Sequence, residues 1–186
     1  MTLTFDHVAI AARTLDEGAA WLRARGLHPE PGGRHPGLGT HNMLLSLGPG
    51  EYLELIARDP GQDGPPRWFG LDGFDGPPRV AGWVARMSPL TPPPGTQVAQ
   101  ARRGDLAWTI TLPDAGQMPR GGAQPMRIDW GQGPHPSDRL PDRGVRLSRL
   151  TLPLEALALD DRRLMLTGAG TPMTLTLTTP TGDVTL

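Results

Sequence analysis

Within the first 58 positions the hydrophobic residues change their spacing twice, and this constrains the fold more than any other feature. Segment 3–11, LTFDHVAIA, alternates. Leu3, Phe5, His7 and Ala9 share one parity and Thr4, Asp6, Val8 and Ile10 the other, the two-residue period of a strand. In the following TLDEGAAWLRARG the period lengthens, and Leu15, Ala19 and Leu22 form a stripe at helical spacing. Thr14 followed by Glu17 predicts a capping box, in which the hydroxyl and the carboxylate each satisfy an orphan amide. Gly26 predicts a left-handed helix stop. Alternation returns in 40–47 (THNMLLSL) and 51–57 (EYLELIA), preceded by a short extended piece around 27–31. The GPG between them suits a tight hairpin. The first module is therefore β-α-β-β-β.

Residues 59–79 are a Pro/Gly-rich connector, which Trp68 and Phe69 are expected to dock onto the body of the domain. A second strand series follows at 81–87, 96–102, 106–112 and 125–130. Where the first module has its helix, this one has SPLTPPPG, whose prolines forbid one. A third series comprises 145–152, 162–167 and 172–178, with VTL closing the chain. The expected organisation is a first module at 1–58, the connector at 59–79, a helix-poor second module at 80–136 and a third, partial module at 137–186, all in one compact domain. A weak internal repeat sets residues 5–15 above 80–90, and YLELI (52–56) above RIDWG (127–131), with Glu54 over Asp129. The fold class expected is α+β: repeated β-α-β-β-β modules, their helices reduced in the later ones, curling a mixed sheet into a cup.

Composition narrows the chemistry. The chain has no cysteine, and all 18 basic residues are arginine. Thiolate nucleophiles, disulfides and Schiff-base lysines are thus excluded. A formal net charge of −1 with scattered arginines gives no footprint for nucleic acid or a membrane surface. No apolar run is long enough to span a bilayer. MTLTFDHVAIAA lacks the charged start of a signal peptide, so a cytoplasmic location is expected. Neither a nucleophile elbow nor a dinucleotide-binding glycine motif occurs.

Parity assigns the faces. Val8, Ile10, Met43, Leu45, Leu47, Leu53 and Leu55 should lie under the helix, which leaves His7, Thr40, Asn42 and Glu54 on the opposite, concave face together with Phe5 and Ala9. His41 falls on the wrong parity. Imidazole and carboxylate are ligands for a divalent metal, and the same pair can serve as base and orienter. Equally, His7 and Glu54 could simply hydrogen-bond each other. Arg102 and Arg103 read as a solvated turn, of interest only for an anionic substrate.

DHVAIAARTLDEGAAWL, GGRHPGLGTHNMLLSLG and YLELIA together resemble the glyoxalase-like domain family of the vicinal oxygen chelate superfamily. WFG, IDWGQGPHP and TPTGDVTL extend the likeness more loosely. The resemblance implies paired modules around a cup, with a small-molecule ligand and one divalent metal (Zn, Ni, Mn or Fe), or none. It implies metal ligand and catalytic roles for His7 and Glu54. His35, in GRHPG, occupies the histidine of this branch's glycine-rich motif. His35, Thr40, Asn42, Asp129 and His135 are the expected substrate contacts, Asp129 standing for a second carboxylate. The chain departs from the family in having Gly82 opposite His7 in the repeat, and Arg149 at the comparable place of the third series. The activity implied is isomerase, lyase or proton-transfer chemistry on a small polar molecule; the alternative is a non-catalytic ligand-binding protein. Three strand series that cannot pair evenly in one chain favour a homodimer.

Overall fold

A computed structural model describes residues 3–63, 68–114 and 116–186; within the connector, 64–67 lie outside the described residues. The first module contains β1 (Thr4–Ala11), α1 (Leu15–Arg23), β2 (Glu30–His35), β3 (Thr40–Gly48) and β4 (Glu51–Arg58). The second contributes β5 (Arg79–Arg86), β6 (Thr96–Arg103), β7 (Leu106–Pro113) and β8 (Met126–Asp129). These strands form one mixed eight-stranded sheet in the order β2-β3-β4-β1-β5-β8-β7-β6. Its first and last strands approach each other, so the sheet curls into a cup.

The order is symmetric about the β1–β5 pair, and the register makes the repeat literal. Val8 pairs with Trp83 at the centre, and His7–Val84 is mirrored by Ala9–Gly82, Phe5–Ala85 by Ile10–Val80 and Thr4–Arg86 by Ala11–Arg79. Residues 5–15 therefore do correspond to 80–90. The second half of the repeat needs correcting. Ala9 pairs with Glu54, and its counterpart Val84 pairs with Met126. The counterpart of Glu54 is thus Met126, and Asp129, three positions on, has the opposite parity.

A second correction follows from the same register. Phe5 pairs with Ala85 but His7 with Val84, so Asp6 is an extra residue, a β-bulge, with Ala81 its mirror image. The bulge shifts parity by one. Phe5 consequently faces away from the cup and stacks on Trp83 at 6.0 Å, while Asp6 and His7 both turn into it.

Two apolar clusters sandwich the sheet. Outside the cup, Val8, Ile10, Leu45, Leu47, Leu53 and Leu55 pack against Ala19 and Leu22 of α1, as parity requires. The third series does not extend the cup. Its strands β9 (Arg146–Leu152), β10 (Leu164–Leu166), β11 (Thr174–Thr179) and β12 (Gly182–Thr185) pair with each other in a separate sheet. Leu147, Leu150, Leu175 and Leu177 of that sheet join the outer cluster with Trp83 and Ala85. The odd third series is accommodated within the chain as an open sheet edged by β10 and β12. Inside the cup, Trp68, Phe69, Trp108, Met118 and Trp130 pack on Ala9, Tyr52, Ile56 and Val84. Among the described residues no helix is long and apolar enough to cross a membrane.

The capping box is only half made. Thr14 Oγ1 accepts from the Glu17 amide at 3.1 Å, but the Glu17 carboxylate turns to Arg13 in a two-pronged pair at 2.8 and 2.9 Å. Gly26 adopts φ 77° while the Leu27 amide bonds back to the Leu22 carbonyl, the expected left-handed stop. Thr14→Ala should therefore cost about 1 kcal/mol in urea unfolding. Glu17→Gln, which spares the cap and removes only an exposed ion pair, should shift the urea midpoint much less.

Candidate active site in the cup

Glu54 sits at the centre of β4 and is 3 % exposed. Oε1 accepts from Asn42 Nδ2 at 2.6 Å, whereas Oε2 has no hydrogen-bond partner at all. A buried carboxylate oxygen left this way is costly unless the site uses it. His7 Nε2 lies 3.6 Å from it. A void of about 20 Å³ lies among these groups, walled by Tyr52, Trp68, Trp108 and Trp130. It has room for about one water.

His7 is oriented by two contacts. Its ring stacks on Tyr52 at 4.4 Å, and Nδ1 lies 2.7 Å from Asp6 Oδ1. Since an ionised carboxylate only accepts, Nδ1 carries a proton, and Nε2 is the nitrogen turned toward Glu54. Asp6 itself has no solvent exposure. Its Oδ2 accepts from Arg86 Nε at 2.8 Å and from Trp130 Nε1 at 3.1 Å, and His135 Nε2 lies 3.4 Å from it. Burial alone would raise the Asp6 carboxyl; the bonds with His135 and His7 outweigh it and hold Asp6 well below the usual carboxylate range.

His35 occupies the other side of Glu54, its Nε2 3.7 Å from Oε1. Asn42 Nδ2 also donates to His35 Nε2 at 3.1 Å, so this ring too carries its proton on Nδ1, where it meets Thr40 Oγ1 at 2.8 Å. Trp68 Nε1 donates to the same hydroxyl at 2.9 Å. Burial pushes the His35 pKa down to about 4, against the pull of Glu54. The Asn42 carbonyl accepts from the Gly33 amide at 2.9 Å and from Arg103 Nη1 at 3.0 Å. The glycine pair that opens GGRHPG makes this possible: a Cβ at Gly32 would lie 2.1 Å from Asn42 Oδ1, and one at Gly33 2.6 Å from Arg103 Cδ.

Of the residues singled out in the sequence, His7, His35, Thr40, Asn42 and Glu54 thus come together in the cup. His135 joins from the side of Asp6, capping a short 3-10 turn at Pro136–Arg139. Asp129 does not: Met126 and Ile128 of β8 face the cup, and Asp129 points outward, its carboxylate accepting from the Gly131 amide. His41, of the wrong parity, lines a separate open groove of about 940 Å³ with Arg13, Arg34 and Arg58. Sequence reasoning missed Asp6 and misplaced Arg103. Parity set Asp6 against the helix-covered face, where an acid would have no partner, and that conflict was the available sign of a bulge. Arg102 is exposed as expected, but Arg103 is half-buried and reaches into the cup.

The family model that matches this chain is the glyoxalase-like domain, over residues 5–158. Paired sheet halves around a cup define the fold of the vicinal oxygen chelate proteins, and the chain belongs to their glyoxalase-like domain family. Among solved structures it is similar to a hypothetical protein from Staphylococcus aureus, at 14 % identity over 81 % of this chain and 69 % of that one, with a TM-score of 0.53. A methylmalonyl-CoA epimerase of Streptomyces coelicolor, in complex with 2-nitronate-propionyl-CoA, is 19 % identical over 73 % of this chain and all (100 %) of its own, with a TM-score of 0.47. The Mycobacterium tuberculosis enzyme of that name is 20 % identical over 67 % and 85 %, with a TM-score of 0.40. Likeness at these identities concerns the fold. No curated protein matches.

Such a cup commonly holds a divalent metal, and the donor set can be tested for it. His7 Nε2 and Glu54 Oε2 converge on the void, but His35 Nε2 is occupied by Asn42, and Asp6 points away toward Arg86. Across the two-fold, the counterparts of His7 and Glu54 are Gly82 and Met126. A Cβ at Gly82 would lie 2.9 Å from Met118 Cε and 3.4 Å from Phe69, so apolar side chains fill the place of a second pair of ligands. Among the described residues no group of three or more His, Cys, Asp or Glu is set to hold a metal. Two donors fall short of the three protein ligands of a catalytic zinc site, so these residues do not fit the multi-ligand centre.

The two displaced titrations predict two limbs of acid sensitivity. His35 is neutral when folded but titrates near 6.5 when unfolded, so its contribution is complete above about pH 6.5 and is lost as pH falls toward 4. The loss is on the order of 3 kcal/mol, and His35→Gln should remove this limb from a series of urea melts. Asp6, depressed when folded, adds a second limb below about pH 4. Asp6→Asn should abolish that limb and cost about 3–5 kcal/mol at neutral pH by stranding Arg86.

Proposed function

We propose that the chain catalyses proton transfer at a carbon beside a carbonyl of a small polar molecule, an isomerase- or lyase-type reaction, with Glu54 and His7 as the working pair. The supporting observation is the unpartnered Glu54 Oε2, buried and 3.6 Å from His7 Nε2. Glu54 Oε2 takes the proton from carbon, and the C–H electron pair moves into an enolate. The proton passes to the His7 Nε2 lone pair, and Asp6 stabilises the imidazolium so formed. Its return to a neighbouring carbon on the same face completes isomerisation, and its return to the original carbon completes exchange, regenerating both groups in either case. Asn42 fixes the carboxylate through Oε1. Tyr52 and the three tryptophans exclude water, which strengthens each of these interactions.

Deuterium incorporation from D₂O tests this, followed by proton NMR over 2-hydroxy ketones, 2-oxo acids and their esters. The wild type should exchange the hydrogen next to the carbonyl. Glu54→Gln should slow exchange by about 10²- to 10⁴-fold, and undiminished exchange in that variant would refute the assignment. The walling of the chamber by Trp68, Trp108 and Trp130 favours a second reading, a ligand-sequestering protein. Tight binding without exchange by the wild type would decide for it.

A further inference from the structure

The void beside Glu54 is too small for any organic substrate, so the cup must open for one to enter. Its neighbour is a larger hollow of about 450 Å³ on the outer side of Leu44, Arg103 and Pro136, three residues that line both spaces. Leu106, Leu140 and Pro141 give that vestibule apolar walls. Arg103 is the only arginine lining the inner chamber among the described residues. It stands at the passage, half-buried, with its guanidinium on a neutral partner, Asn42 Oδ1. The other arginines near the cup are matched to carboxylates: Arg86 with Asp6, Arg139 with Asp105, Arg143 with Glu30. The same Asn42 donates to Glu54 and His35. One amide therefore connects the cation at the mouth to the carboxylate inside.

We propose that Arg103 is the anion-binding residue of the cup, and that the substrate is a small organic carboxylate whose charged end draws Arg103 off Asn42. A carboxylate offers the guanidinium two charged acceptors in place of one neutral oxygen, a bidentate match worth more at a partly desolvated mouth than in water. With Arg103 drawn off, the substrate carboxylate stays at the vestibule side. The C–H carbon on the far side of the keto group is then directed toward Glu54 Oε2 and His7 Nε2. Arg103 is here a specificity-determining residue. The inference rests on the reading of the cup as a substrate site and names its substrate class.

Tryptophan fluorescence titrations of the full chain test this without requiring turnover. The probes are 2-oxo acids of three to six carbons and, in parallel, their methyl esters. The wild type should bind at least one acid in preference to its ester. Arg103→Gln should weaken that acid about 10- to 100-fold and leave the ester unchanged. Arg103→Lys, which keeps the charge and loses the fork, should retain part of the preference and confirms that any loss is not misfolding. Arg102→Gln, at an exposed neighbour bonded to the Gly104 carbonyl, should change neither. Equal affinity for acid and ester, an undiminished preference in Arg103→Gln, or no binding of any acid would each overturn the proposal. An acid bound through Arg103 but not exchanged would instead overturn the proton-transfer reading alone, and exchange of esters as fast as acids would overturn this inference alone.

Discussion

A carboxylate with no exposure to water needs partners, and Asp6 finds them on four separate parts of the chain: His7 beside it on β1, Arg86 at the end of β5, Trp130 after β8 and His135 ahead of the last 3-10 turn. Removing any one partner would leave a buried charge short of compensation, a penalty larger than the net worth of the bond. The β-bulge that turns Asp6 inward therefore does more than re-aim one side chain. It ties the two halves of the sheet and the loop beyond β8 to a single atom group, and fixes which nitrogen of His7 faces Glu54.

Around the β1–β5 axis the backbone is two-fold symmetric, and the chemistry is not. His7, Asn42 and Glu54 stand on one half, while Gly82, Ile110 and Met126 stand at the corresponding register positions of the other. Met118 and Phe69 occupy the room that Gly82 leaves. A duplicated cup has in this way become a one-sided site, with its polar groups against an apolar wall. Such a wall raises the strength of every electrostatic contact opposite it. It also limits the donor set, which is why the chemistry argued above uses the chain's own acid and base groups.

Much of this was legible in the sequence. The first module is strongly periodic and carries its turn signals, so its elements and the faces of β3 and β4 could be read directly. His7, Asn42 and Glu54 followed from parity alone. Asp6 did not, because the bulge leaves the alternation of LTFDHVAIA intact: its sole trace is an acid assigned to the apolar face, and Phe5 ahead of it was put on the wrong side. Asp129 was misplaced for a related reason: aligning YLELI with RIDWG matches acid to acid, whereas backbone register matches Glu54 to Met126. Arg103 was read as a turn residue since its role depends on β6 curling round to face β2, a long-range closure that no local pattern encodes. Pairing of the third series with itself was equally hidden.

Asp6 holding His7 with its Nε2 lone pair on Glu54 is the claim from which the rest follows. Long-range ¹H–¹⁵N correlation spectra of the histidine rings report the tautomer directly. At a pH where its ring is neutral, His7 should carry its proton on Nδ1, with an unprotonated Nε2. A His7 ring protonated on Nε2 instead would mean that Asp6 does not direct it, and would contradict the account.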